Sequence, residues 1–274
     1  MPLTVLVLSV VLTTSTASWL LQDSVPHALE RSGMLRANYK GAHVAPALGI
    51  VIALSAIAGY SMLAALTRAD ERTLAVVLGM VVSAFIGLLD DVAGRDSGKG
   101  FHGHFGRPFS ARGVSTGVLK AVFVSLAAVI ASRSVFGPPW QVLLRAAGIA
   151  LTANLFNLLD LRPGRCIKVY LAVSALAAVS LEFDVLKYAP VVVGAVMVLR
   201  ADLQARAMLG DCGSNLLGFV AGCQVTLTAP IWFAAVWLGA VLILNVASEK
   251  YSFTSVIESN RVLRWLDMLG RVDD

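Results

Sequence analysis

Residues 73–91 read TLAVVLGMVVSAFIGLLDD, seventeen residues without a charge followed by Asp90 and Asp91. The run is too long for a buried strand and lacks alternation of polar and apolar residues, so it predicts a helix. A helix that is apolar on every side belongs inside a protein core or a membrane. Carboxylates at the edge of hydrocarbon are costly to keep there and usually have a task.

Eight similar windows surround this one, at roughly 3–21, 44–66, 114–132, 138–159, 167–181, 185–199, 213–229 and 230–247. Some fall short of the ~20 residues that a straight span requires. The chain of 274 residues is 57% apolar and 14% charged, with a mean hydropathy of +0.77, far from the balance of a soluble domain. The runs lack the dyad pattern of barrel strands. The expectation is an all-α fold: one polytopic transmembrane helix bundle of about nine spans occupying residues 1–274.

Lysine and arginine distribution orients such a bundle. Alternate loops and the tail carry seventeen, among them Arg31, Arg36, Lys40, Arg162, Arg165 and Lys168; the opposite loops carry Arg68, Arg72, Arg133 and Lys187. Arg145 lies within a window. By the positive-inside rule the rich side faces the cytoplasm of a plasma membrane, with the N-terminus outside and the C-terminus inside. The first window also has a small-residue stretch, Ser15-Thr16-Ala17, as a cleaved signal would. It lacks a basic start, and cleavage would strand Arg31, Arg36 and Lys40 on the wrong side, so a retained helix is the expectation.

Cys166, Cys212 and Cys223 have no CxxC spacing and imply neither a disulfide framework nor a zinc site. The pI near 9.3 is explained by loops facing anionic headgroups, without nucleic acid as partner. In the tail, 248–274, Val262, Leu263, Trp265, Leu266 and Leu269 alternate with Arg261, Arg264 and Asp267, as in an interfacial amphipathic helix or one packed on the bundle.

Three strings place carboxylates on the predicted cytoplasmic side. Asp90 and Asp91 are adjacent and repel unless a cation or a shared proton neutralises them; a solvated start of a loop is the plain alternative. Asn154, Asn157 and Asp160 recur every three residues on one drifting helical face, and the turn Arg162-Pro163-Gly164-Arg165 with Lys168 adds cations suited to phosphate; asparagines also bridge helices. Asp211 lies in Met208-Leu209-Gly210-Asp211-Cys212-Gly213-Ser214, before an apolar run whose first N–H groups suit an anion. Lys120 sits shallowly inside its window, a depth at which a lysine commonly snorkels, and Lys40 follows Asn38-Tyr39 in a tight turn. His102 and His104 offer a weak loop metal site.

The ordered set NYKGAHVAP, GLLDD, Lys120, NLFNLLD and MLGDCGSN resembles the polyprenyl-phosphate N-acetylhexosamine-1-phosphate transferase family, over about residues 38–214. The resemblance implies a Mg²⁺-dependent phosphoglycosyl transferase that moves a sugar-1-phosphate from a UDP-sugar to polyprenyl (undecaprenyl) phosphate, releasing UMP, in cell-envelope polymer synthesis. It casts Asp90, Asp91, Asp160 and Asp211 as catalytic, with Asp211 and Asp160 holding the metal. Substrate would be bound by Lys40, Lys120, Asn154, Asn157, Arg165, Lys168, Gly213 and Ser214. A homodimer is compatible with it.

The chain departs from the family's pentapeptide transferases in three places. Asp160-Leu161-Arg162-Pro163-Gly164 stands where they carry Asp-Gly-x-Asp-Gly, SEKYSFTSVIESN lacks their late histidines, and Met208 stands where an aromatic precedes the Gly-Asp pair. Two other readings follow, a lipid-phosphate binder without turnover and a transporter of a lipid-linked substrate, the latter requiring functional groups near mid-membrane.

Overall fold

The computed structural model describes residues 1–93, 109–110, 113–180 and 184–272. His102 and His104 lie outside the described residues. Helices run over Leu3–Arg31 (α1), Leu48–Leu66 (α2), Glu71–Ala93 (α3), Thr116–Arg133 (α4), Pro139–Leu159 (α5) and Arg165–Ser180 (α6). They continue over Val185–Leu203 (α7), Gly210–Thr226 (α8), Ile231–Ser248 (α9), Phe253–Ser259 (α10) and Arg261–Met268 (α11). Two short antiparallel hairpins accompany them: β1 (Arg36–Ala37) with β2 (His43–Val44), and β3 (Phe109–Ser110) with β4 (Gly113–Val114).

Each of the nine predicted windows coincides with one helix, α1 to α9. Among the described residues six of these, α1 to α5 and α9, are long and apolar enough to cross a membrane, where about nine spans were expected. Helix α8 differs from the six in its surroundings. This helix has 17 residues, and its side chains from Cys212 to Thr226 are buried, because α2, α3, α5 and α6 all pack on it. Protein rather than lipid surrounds it, so it can carry polar groups provided they are paired. Gln224 accepts from Ser174 Oγ (3.0 Å) and donates to Tyr170 Oη (3.4 Å), both on α6.

Around this axis α1 packs on α2 and α7, α4 lies between α3 and α5, and α9 covers α5. The stretch Ser15-Thr16-Ala17 is internal to α1, whose Val10 and Thr14 are fully buried. Where α2 crosses α8, Gly49 and Gly213 bring the backbones together: a Cβ on Gly213 would sit 2.8 Å from the Gly49 Cα. Such small-residue crossings let helices gain packing that apolar area alone does not supply in lipid.

The ends of the helices segregate. At one end Arg36 donates to the carbonyls that finish α3, Leu48 and Gly49 N–H donate to the Met208 and Leu209 carbonyls, and Gly164 N–H bonds Asp202. At the other end buried Lys187 pairs with Asp70 (3.2 Å) and Asp184 (3.5 Å), while Arg145 Nη1 reaches the Ala229 carbonyl (3.1 Å) beyond the last turn of α8.

Candidate functional site

The GLLDD string ends α3 and the Gly-Asp string begins α8, and the close packing of these two helices brings their carboxylates together with different environments. Asp91 is buried, and its two oxygens accept the backbone N–H groups of Asp211 (3.1 Å) and Cys212 (3.0 Å). It therefore caps α8 from another helix, satisfying donors that would otherwise be orphaned. The anion expected at this N-terminus is a side chain of the protein itself. Gly210, at φ +73°, makes the turn; a Cβ there would lie 2.8 Å from Asp91 Oδ2, so both its backbone conformation and its lack of a side chain are required.

Asp90 points the other way. Its carboxyl is in hydrogen-bond contact with Asp211 and with Thr116, the first residue of α4. Lys120, one turn further along α4, sets its ammonium 3.3 Å from Asp211 Oδ2 and 3.9 Å from Asp90 Oδ2. Asn157 of α5 closes the group. With its amide oriented to satisfy its neighbours, it donates to Asp211 Oδ1 (2.9 Å) and Ser214 Oγ (3.1 Å) and accepts from Lys120 Nζ (3.1 Å). Four helices thus converge on two carboxylates, one ammonium and one amide, partly open to the surface. Lys120 does not snorkel outward; it neutralises the carboxylate pair.

Asp160 stands beside this group rather than in it. It ends α5 and accepts the Gly210 N–H. Burial, followed by the carboxylates of Asp202, Asp211 and Asp91, pushes its carboxyl well above the ordinary range, against the pull of that N–H. The stripe of three polar residues fans out for a geometric reason. Steps of three residues advance about 300° on a helix, so each falls about 60° short of a turn. Asn154 consequently faces α9, where it donates to Asn245 Oδ1 (2.6 Å), and Asn245 in turn bonds the Leu151 and Val241 carbonyls. Asn154 bridges helices and does not line the carboxylate group.

Other expected ligands are also committed elsewhere. Arg165, expected on phosphate, is buried with both ends of its guanidinium on Asp267 (2.8 and 2.9 Å) and Nη1 on Thr254 Oγ1 (3.1 Å). Lys168 Nζ donates to the carbonyls of Leu266 (2.9 Å), Asp267 (2.5 Å) and Leu269 (3.2 Å), closing the end of α11. Both hold the tail. Lys40 is exposed at the tip of the β1–β2 hairpin, its ammonium 5.7 Å from the Tyr39 ring centroid. Gly213 serves the α2–α8 crossing, and Ser214 joins the Asn157 network.

Three residues central to this end were not singled out by sequence. Arg36 ties the hairpin segment to the last carbonyls of α3 through Nε (2.8 Å) and Nη2 (2.5 Å). Thr116 bonds Asp90. Asp202, buried in the last turn of α7, accepts the Gly164 N–H (2.8 Å) and so joins the turn after α5 to the end of α7. An acid nine residues before Asp211 was the available signal for Asp202. Arg36 and Thr116 carried none, because their partners are distant in the chain.

Among the described residues no three of His, Cys, Asp and Glu gather as a ready metal cage. The donors that do gather, Asp90, Asp211 and the Asn157 amide oxygen, are hard oxygen ligands. Magnesium commonly takes one or two carboxylates and completes its shell with water and substrate phosphate, and this set fits that requirement. Asp160, expected as a second ligand, is turned to Gly210 instead. Fold and site together define a membrane-embedded helical bundle with a charged group at one end. No family model matches the chain, and no curated protein matches it.

Proposed function

We propose that the protein is a phosphoglycosyl transferase that joins a sugar-1-phosphate from a UDP-N-acetylhexosamine-type donor to a polyprenyl phosphate, releasing UMP, at the cytoplasmic face of the plasma membrane in cell-envelope synthesis. The observation that carries this reading is the convergence of Asp90, Asp211, Lys120 and Asn157 from four helices at the end richer in lysine and arginine. Transfer between two phosphates depends on charge neutralisation and alignment more than on acid-base strength. An ammonium between two carboxylates suits that chemistry, since it can move to phosphate when a divalent cation neutralises the carboxylates.

Asp211 and Asp90 would hold Mg²⁺, which when bound supplies charge for the phosphoryl oxygens. Lys120 binds phosphate, Asn157 fixes the Asp211 carboxylate, and Asp91 holds the α8 N-terminus so that Asp211 stays in place. Asp160 accepts the Gly210 N–H and Asp202 the Gly164 N–H, and the two so order the segments on either side of the group.

A second reading is a polyprenyl-phosphate binder without turnover. It is favoured by one observation: Arg162 in the altered turn, and Arg165 and Lys168 after it, are all bound to the tail.

Purified protein supplied with undecaprenyl phosphate, Mg²⁺ and a panel of radiolabelled UDP-sugars should yield lipid-linked product and UMP with at least one donor. Asp211→Asn should lower that rate by roughly a hundredfold or more, the scale of removing one preorganised charged group from a transfer site. Folded protein that gives no product with any donor, yet retains radiolabelled undecaprenyl phosphate in a separate binding assay, would support the binder instead.

A further inference from the structure

Helix α11 is amphipathic in the wrong sense for a helix packed on a protein. Of residues 261 to 267 only Asp267 is buried, while Val262, Trp265 and Leu266 are exposed at 64%, 63% and 47%. An ordinary surface helix buries its apolar stripe and shows its charges. Here the inward group is a carboxylate, held bidentately by Arg165 and again by Arg271 Nη2 at 2.8 Å. Lys168 fixes the end of the helix through three carbonyls. These bonds determine the roll of α11 about its axis. At about 100° per residue, Val262, Leu266, Leu269 and Trp265 fall together on an outward arc, with Arg261 and Arg264 beyond its Trp265 edge.

We propose that α11 is a docking surface for an anionic lipid surface, with Trp265 and its apolar neighbours in the headgroup–acyl boundary and the two arginines on lipid phosphates. Two features specify lipid as the occupant. The arginines complement anionic headgroups, and the helix is fixed to a bundle that also exposes apolar side chains on a candidate span, such as Trp232, Val236 and Ile243 on α9. Trp with flanking Arg is the side-chain set that interfaces select. The Asp267 bonds make the contact specific in orientation: the carboxylate turns the apolar arc away from the bundle. This inference does not depend on the transferase reading.

Nitroxide labels placed singly at 261 to 269, leaving out 267, test it in the full chain reconstituted in nanodiscs, since Cys166, Cys212 and Cys223 are buried. In discs containing phosphatidylglycerol, labels at 262, 265, 266 and 269 should be relaxed by oxygen and shielded from an aqueous nickel chelate, and labels at 261 and 264 the reverse. Reversing Arg261 and Arg264 to Glu should shift the equilibrium between lipid-contacting and free tail by roughly fivefold or more per arginine. Asp267→Asn should blur the helical period of the accessibility while the tail retains lipid contact. Aqueous exposure at 262 and 265 in anionic discs would overturn the proposal, as would shielding that arises from a second copy and appears as spin–spin broadening.

Discussion

Within the pair Asp90–Asp91 and within the stripe Asn154-Asn157-Asp160, neighbours of like chemistry hold unlike positions. Asp91 receives two backbone N–H groups, whereas Asp90 lies beside Thr116 and Asp211 and 3.9 Å from the Lys120 ammonium. Asp91→Ala leaves two buried donors of α8 without an acceptor and is expected to destabilise the protein by about 1–3 kcal/mol, read as thermal unfolding in detergent. Asp91→Asn keeps one accepting oxygen and should lose less; equal losses would refute the capping role. The asparagines separate similarly. Interhelical hydrogen bonds in membranes average about 0.6 kcal/mol, so Asn154→Ala should cost about that and leave transfer intact. Asn157→Ala removes the amide that orients Asp211 and should lower the proposed transfer at least tenfold with little change in unfolding temperature.

At the scale of elements, the tail and the α5–α6 turn form one ionic unit. Burial alone would raise the Asp267 carboxyl, but the Arg165 hydrogen bonds, with the charges of Arg165, Arg271 and Lys168, outweigh it and hold the carboxyl below its ordinary value. A lowered folded-state value means the stabilisation is complete above the unfolded range, near pH ~3.9, and is lost as pH falls through the folded value below it. Tail release, followed in detergent as the mobility of a nitroxide label at position 263, should therefore begin only below about pH 4 in the parent chain. In Asp267→Asn the same label should be mobile at neutral pH, because the Arg165 guanidinium is left buried without its counter-charge, at a cost of about 3–5 kcal/mol.

For the whole molecule, the two ends differ in chemistry. The aspartate end contains the segments rich in arginine and lysine, and the opposite end holds Lys187 with Asp70 and Asp184. Given the positive-inside rule, Tyr251, exposed after α9, should lie inside the cell and Phe136, exposed between α4 and α5, outside. A membrane-impermeant maleimide applied to intact cells should label Phe136→Cys and not Tyr251→Cys. The reverse pattern would invert the bundle and place the carboxylate group outside, where UDP-sugars are not made.

The sequence by itself determined the helical, membrane-embedded class and the positions of α1 to α9, because apolar runs of this length have no other stable form in lipid. Charge counting also assigned Asp90, Asp91, Asp211, Lys120 and Asn157 to one predicted side, together with Lys40, Asn154, Asp160, Arg165 and Lys168, without separating the two sets. Tertiary structure alone decided which of them meet. That Asp91 caps α8, that Asn154 turns to Asn245 and that Arg165 belongs to Asp267 depend on contacts between residues roughly a hundred positions apart. Those contacts are set by helix roll and crossing, and a local pattern records the face of a helix without recording its neighbour.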